Sequence, residues 1–121
     1  MNWHSSRKES EKMAVFKVEA YVVKPEKQEE YRAIMKKWGA YIKKNEEKCK
    51  ELKSWKLFSQ MTGGTSGGYV EMGEFESLAD YETFMHRIFH GNDKLITAIV
   101  SGFTNCVVPG TYSMNIWNSV L

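Results

Sequence analysis

Three groups of residues carry chemistry by type and spacing. The first is Glu19, flanked by Lys17 and Tyr21 two positions away on either side. In an extended segment these three side chains share one face, because successive residues of a strand point to opposite sides. A carboxylate buried there has its pKa raised and suits proton abstraction. A bland role is also open to it, as one half of an ion pair or hydrogen-bond network that staples two subunits together.

The second group is His86 and His90, four residues apart and therefore on one face of a helix. That spacing can chelate a metal, but the pair lacks the adjacent Glu of the zinc-protease motif and a third ligand, so no metal site is expected. His86, beside Met85 on an apolar edge, is a candidate pocket-lining general base. The third group is aromatic. Tyr21, Trp38, Trp55, Phe84 and Trp117 suit the walls of a cavity for a flat apolar molecule, with Gln60 and Asn115 to orient it. The seven methionines would adapt to an irregular pocket. The same residues also serve as ordinary core.

These residues need elements to hold them. Phe16, Val18, Ala20 and Val22 alternate with Lys17, Glu19 and Tyr21, giving a first strand over 14–23 with one apolar and one mixed face. Pro25 then opens a helix whose apolar positions, Tyr31, Ile34, Met35, Trp38, Tyr41, Ile42 and Cys49, recur as far as Leu52. Early Glu26, Glu29 and Glu30 and late Lys43, Lys44, Lys48 and Lys50 match its dipole.

Residues 54–61 and 69–75 read as two strands of a hairpin joined by the glycine-rich stretch 63–68. That stretch lacks the GK[ST] ending and the following helix of a phosphate-binding loop. Glu71 and Glu74 lie on opposite faces of the third strand, and its register decides which of them points inward. Ser77 caps a second helix carrying Leu78, Tyr81, Phe84, Met85, Ile88 and Phe89. A shorter helix over 93–101 and a last strand over 111–120 complete the order β-α-β-β-α-(α)-β.

This is the split βαβ order of a ferredoxin-like α+β domain with a four-stranded antiparallel sheet. Helices cover one face of such a sheet. Its other face carries residues too large and apolar to leave in water, so a second copy of the sheet is the simplest cover.

The 121 residues suffice for a single domain over 13–121, preceded by a polar, flexible N-terminal arm over 1–12. No apolar run approaches the roughly 20 residues of a membrane span, and the arm has no signal-peptide core, so a cytoplasmic location and no membrane partner are expected. Residues 24–53 hold ten Lys/Arg against six Glu, but interleaved at helical spacing, which reads as a solvated face and not as a nucleic-acid surface. Cys49 and Cys106 lack metal or redox spacing and read as free thiols.

Three phrases carry a family resemblance: residues 18–25 leading to Glu29-Glu30-Tyr31, residues 73–81, and residues 108–117. With the order of elements, they resemble the dimeric α/β barrel superfamily, in particular antibiotic-biosynthesis-monooxygenase-like and NIPSNAP-like domains. They are structural phrases, a strand into a helix or a turn into a strand, and none is a catalytic signature. The resemblance implies a homodimer with two sheets face to face and a ligand cavity between sheet and helices in each subunit. The superfamily includes cofactor-independent monooxygenases of aromatic polyketides, small isomerases, haem-degrading enzymes and ligand-sensing modules. The haem-degrading branch resembles the chain least: Phe84 stands where its Trp is expected and Glu19 where its Asn is.

Two functions follow as expectations. One is a cofactor-free, monooxygenase-like or isomerase-like enzyme on a small apolar or aromatic substrate, with Glu19 and His86 as catalytic groups. The other is a non-catalytic ligand-sensing or assembly module; fold alone does not choose between them.

Overall fold

The computed structural model describes residues 14–63 and 66–120, so the expected N-terminal arm lies outside the described residues. The elements run β1 (Val15–Val22), a 3₁₀ turn (Pro25–Lys27), α1 (Gln28–Lys44), β2 (Ser54–Ser59), β3 (Gly68–Phe75), α2 (Leu78–Phe89), α3 (Lys94–Cys106) and β4 (Ser113–Asn118). The strands form one sheet in the order β2-β3-β1-β4 with every neighbouring pair antiparallel. β3 inserts between β1 and β2, and α1 crosses over it, which is the ferredoxin-like α+β arrangement.

The local signals act as expected at several points. Pro25 occupies the first helical turn and Lys24 before it is extended (φ −56°, ψ 135°). The Ser77 hydroxyl accepts the Asp80 N–H at 3.0 Å and starts α2. Asp93 Oδ1 accepts from Leu95 and Ile96 N–H at 2.9 and 3.3 Å and starts α3.

Two helix ends differ from their expected places. α1 stops at Lys44 and not near Leu52: Asn45 still makes the last helical bond, N–H to the Tyr41 carbonyl at 3.0 Å, but its own backbone leaves the helical region (φ −123°, ψ 49°) and its side-chain amide donates to the same carbonyl at 2.9 Å. The turns after it are held by Arg87, whose guanidinium donates to the Lys48 carbonyl and, at 2.6 and 2.8 Å, to both carboxylate oxygens of Glu51. α3, in turn, continues through Gly102 to Cys106. Gly102 does not break the helix; it lets α3 approach α1, since a Cβ there would fall 2.7 Å from Ile34 Cδ1. β4 is shorter than the expected 111–120.

Burial fixes which face is which. Lys17, Glu19 and Tyr21 of β1, with Glu71, Gly73 and Phe75 of β3, turn toward the helices. The apolar row Phe16, Val18, Ala20 and Val22 therefore lies on the helix-free face, with Val70 and Met72 beside it. The core between sheet and helices is built on Tyr31, Phe75, Val23 and Cys106, all almost fully enclosed. Cys49 and Cys106 are both free and buried. Among the described residues, no helix is long and apolar enough to cross a membrane.

Candidate functional site

Along β3 the helix-facing positions are Tyr69, Glu71, Gly73 and Phe75. Gly73 lies opposite Lys17 on β1 and Trp55 on β2, so at the centre of the sheet one side chain is missing from an otherwise full row. Above that gap lies a cavity of about 670 Å³. Trp38 of α1, Phe84 and Phe89 of α2 and Phe103 of α3 form its apolar wall, and the sheet supplies Lys17, Glu19 and Glu71 as its polar floor. An apolar chamber with a few convergent polar groups is the usual form of a small-molecule site.

Two carboxylates meet on that floor. Glu19 and Glu71 are register partners on neighbouring strands and both face the helices. Glu19 is held by Lys17, Nζ to Oε1 at 3.2 Å, and accepts the Tyr112 hydroxyl at 2.5 Å. Lys17 Nζ also lies 5.6 Å over the Phe89 ring. Glu71 is 7% exposed; its Oε2 accepts the Tyr21 hydroxyl at 2.8 Å and its Oε1 accepts the Trp55 indole N–H at 3.1 Å. Tyr21 and Tyr31 share a hydroxyl contact of 2.5 Å. Because Tyr21 has spent its one proton on Glu71, Tyr31 donates to Tyr21.

The electrostatics follow from this burial. Loss of water, then the Glu19 charge beside it, pushes the Glu71 carboxyl up from its ordinary value to about 7, against the opposing hydrogen bonds from Tyr21 and Trp55. Burial and the Glu71 charge raise the Tyr21 phenol well beyond the ordinary range. Burial, then the hydrogen bond to Glu19, does the same to Tyr112. The phenols therefore stay protonated as donors, and Glu71 is the group that exchanges a proton near neutral pH.

The structure gathers some of the expected site residues and separates others. Glu19, Trp38, Trp55 and Phe84 line the cavity, and Tyr21 stands behind it on Glu71. The bland role for Glu19, pairing across an interface between sheets, is corrected: its side chain is on the helix side. His86 is exposed on the outer side of α2 with its ring stacked on His90, centroids 5.5 Å apart, and does not line the cavity. α2 turns Phe84, Met85 and Phe89 inward, which leaves the His86 position outward. Gln60 is exposed beyond β2 and spends its amide on the Thr62 and Gly63 carbonyls at 3.3 and 2.7 Å. Asn115 and Trp117 pair with Val18 and Phe16 and so belong to the helix-free face.

Sequence reasoning left Glu71 unassigned between the two faces. The available signal was Gly73, since a glycine inside a strand marks room or close approach on its own face, and Glu71 shares that face. Among the described residues, no group of three or more His, Cys, Asp or Glu is placed to hold a metal.

No protein-family model matches the sequence, and no curated protein matches it. Solved structures do. A provisionally assigned antibiotic biosynthesis monooxygenase from Caulobacter crescentus is 17% identical, with a TM-score of 0.68 over 98% of this chain and 100% of that one. A NIPSNAP family protein from Agrobacterium tumefaciens is 15% identical, with a TM-score of 0.69 over 88% and 86% of the two chains. A dimeric protein of unknown function and ferredoxin-like fold from Bacteroides fragilis is 13% identical, with a TM-score of 0.58 over 88% and 96%. The chain thus has the fold of the superfamily that its sequence phrases resemble.

Proposed function

We propose that this protein pairs as a dimeric α/β barrel and takes a flat, apolar or aromatic molecule into the cavity, acting on it by cofactor-free proton transfer of the monooxygenase-like or isomerase-like kind. The observation that carries the reading is the carboxylate pair, part-buried Glu19 beside buried Glu71, on the floor of an otherwise aromatic chamber. Glu71 is the proton acceptor. A carboxylate set to about 7 is half-ionised at neutral pH, which favours taking a proton from an acidic C–H or O–H and returning it. Glu19 keeps its neighbour's acidity low and is itself held in place by the Tyr112 hydroxyl, and the Lys17 ammonium supplies the positive group that faces a developing anion.

The likeness to a monooxygenase structure supports this chemistry class, and the likeness to a dimeric protein supports the pairing. Pairing also has a physical reason. Phe58 (48% exposed) and Trp117 (53%) flank the apolar row of β1 on the helix-free face, and a second sheet removes that surface from water.

Anthrone, a flat tricyclic carbon acid, tests the reading. Its binding is read by quenching of Trp55 and Trp38 fluorescence, and its conversion by absorbance with oxygen uptake. The expected result is binding and base-dependent conversion, with Glu71→Gln retaining the first and losing the second. Conversion that survives Glu71→Gln removes the acid–base assignment. Binding with no conversion in either protein leaves the ligand-sensing module.

A further inference from the structure

A second hollow lies on the other side of α1, between that helix and β2. It has a volume of about 840 Å³ and an apolar floor made by Met35, Ile42, Trp55, Leu57 and Tyr69. Its rim is cationic. Arg32, Lys36 and Lys43 fall within about 60° of one another around the helix and span about 16 Å of its length. Gly39 sits between them on the same stripe and keeps the floor open, since a Cβ there would meet only the Trp55 ring, at 4.0 Å.

None of these three cations takes part in an ion pair among the described residues. The acids of α1, Glu29 and Glu30, lie in its first turn, and Glu30 is engaged by Lys27 at 3.1 Å. β2 contributes no acid. The groove therefore combines an apolar floor with an uncompensated positive rim.

The strand that borders it is the edge of the sheet. Among the described residues nothing pairs with the outer side of β2. The Gln60 N–H donates to the Gly68 carbonyl at 2.9 Å, which marks residues 60 and 68 as a hydrogen-bonded pair of the antiparallel ladder. By the alternation of that ladder, Trp55, Leu57 and Ser59 direct their backbone N–H and C=O groups away from β3, to the free edge. The same three residues put their side chains into the groove.

We infer that the α1–β2 groove is a docking site for an extended acidic segment of a partner protein. The segment adds as a fifth strand on β2, its alternate side chains being acidic and meeting Arg32, Lys36 and Lys43. Acidic groups two residues apart on a strand are spaced about 6.6 Å, close to the rise of about 6 Å from Arg32 to Lys36. Main-chain hydrogen bonds supply affinity and the cations select the acidic face. The groove is on the helix side of the sheet, so the proposed pairing of the helix-free faces leaves it accessible, and the inference is independent of what the cavity binds.

The test uses a labelled peptide alternating glutamate with valine, followed by fluorescence anisotropy and by amide hydrogen exchange of the full chain. The expected result is saturable binding that weakens with salt, slower exchange at Leu57 and Ser59, and a loss of affinity of about tenfold or more in Lys36→Glu/Lys43→Glu. The same peptide with lysine for glutamate, or with alternate backbone nitrogens methylated, should not bind. Binding unaffected by the double substitution, or without protection of the β2 amides, overturns the inference. Displacement of the peptide by dodecanoate at equal concentration also overturns it, and marks the groove as a site for amphiphilic anions.

Discussion

Glu19 and Glu71 stand directly opposite each other on neighbouring strands, both turned toward the helices. Like charges in directly opposed positions destabilise a sheet, and here one of them, Glu71, is also buried. The surroundings offset this unequally. Glu19 has the ammonium of Lys17, whereas Glu71 has only the neutral donors Tyr21 and Trp55. The second carboxyl is consequently the one that holds its proton toward neutral pH.

The first prediction concerns pH and stability. The folded-state pKa of Glu71 is raised, so the folded protein binds more protons than the unfolded chain between the ordinary carboxylate value and about 7. The favourable, protonated state is fully present below the unfolded value, and its contribution is lost as pH rises through about 7. Glu71→Gln fixes a neutral group: its amide nitrogen faces Tyr21, whose hydroxyl then donates to Tyr31, and its oxygen keeps the Trp55 bond. The variant should be more stable than wild type by about 1–3 kcal/mol at pH 8 and little different at pH 5, read from thermal melts at the two values. Equal effects at both pH values would show that Glu71 carries no raised pKa.

Filling the gap in β3 should abolish ligand uptake. Gly73→Val projects into the cavity floor, where its Cβ alone would fall 3.2 Å from Leu52 Cδ1. The expected cost is about 1–3 kcal/mol of stability, with loss of anthrone binding. Retained binding at wild-type affinity would place the ligand elsewhere.

The α1–α3 contact predicts a compensating pair. Gly102→Ala gains helix propensity of about 1 kcal/mol, but its methyl would lie 2.7 Å from Ile34 Cδ1 and 3.3 Å from Cγ1. With Ile34 buried, the strain should outweigh the gain and leave a net loss of about 1 kcal/mol. Ile34→Val removes the Cδ1 methyl, so the double variant should recover the loss, and a double-mutant cycle in urea reads the coupling. Additive effects would mean that the two helices can separate at this point.

Association is tested on the helix-free face. Met72 pairs with Val18 on one side and Lys56 on the other. Met72→Lys places a charge in the proposed interface and should weaken pairing by about a hundredfold or more, seen by sedimentation equilibrium, while circular dichroism stays unchanged. A wild-type protein that sediments as a monomer at all concentrations would remove the barrel.

Much of the fold was legible because strand alternation and helix spacing are local. The alternation of Phe16, Val18, Ala20 and Val22 with Lys17, Glu19 and Tyr21 placed Glu19 on the mixed face correctly. What local pattern could not say is that the mixed face is the one beneath the helices. Glu71 needed the register of β3 against β1, which is a non-local property. His86 was misplaced because Met85 and His86 border the same edge of α2, and a rotation of one residue decides inside from outside. The helix expected over 93–101 continues past Gly102, whose role lies in its contact with Ile34, far away in sequence. Asn115 and Trp117 were right in alternation but joined to the wrong face.

The inverted dress of β1, polar inward and apolar outward, reaches beyond the cavity. On the proposed pairing, the apolar row that β1 turns outward is covered by another molecule, so association adds to the stability that the single chain already has from its own core. Dilution then acts as a mild denaturant, and the melting temperature rises with protein concentration. The abundance of the chain thereby becomes one of the terms that hold it together.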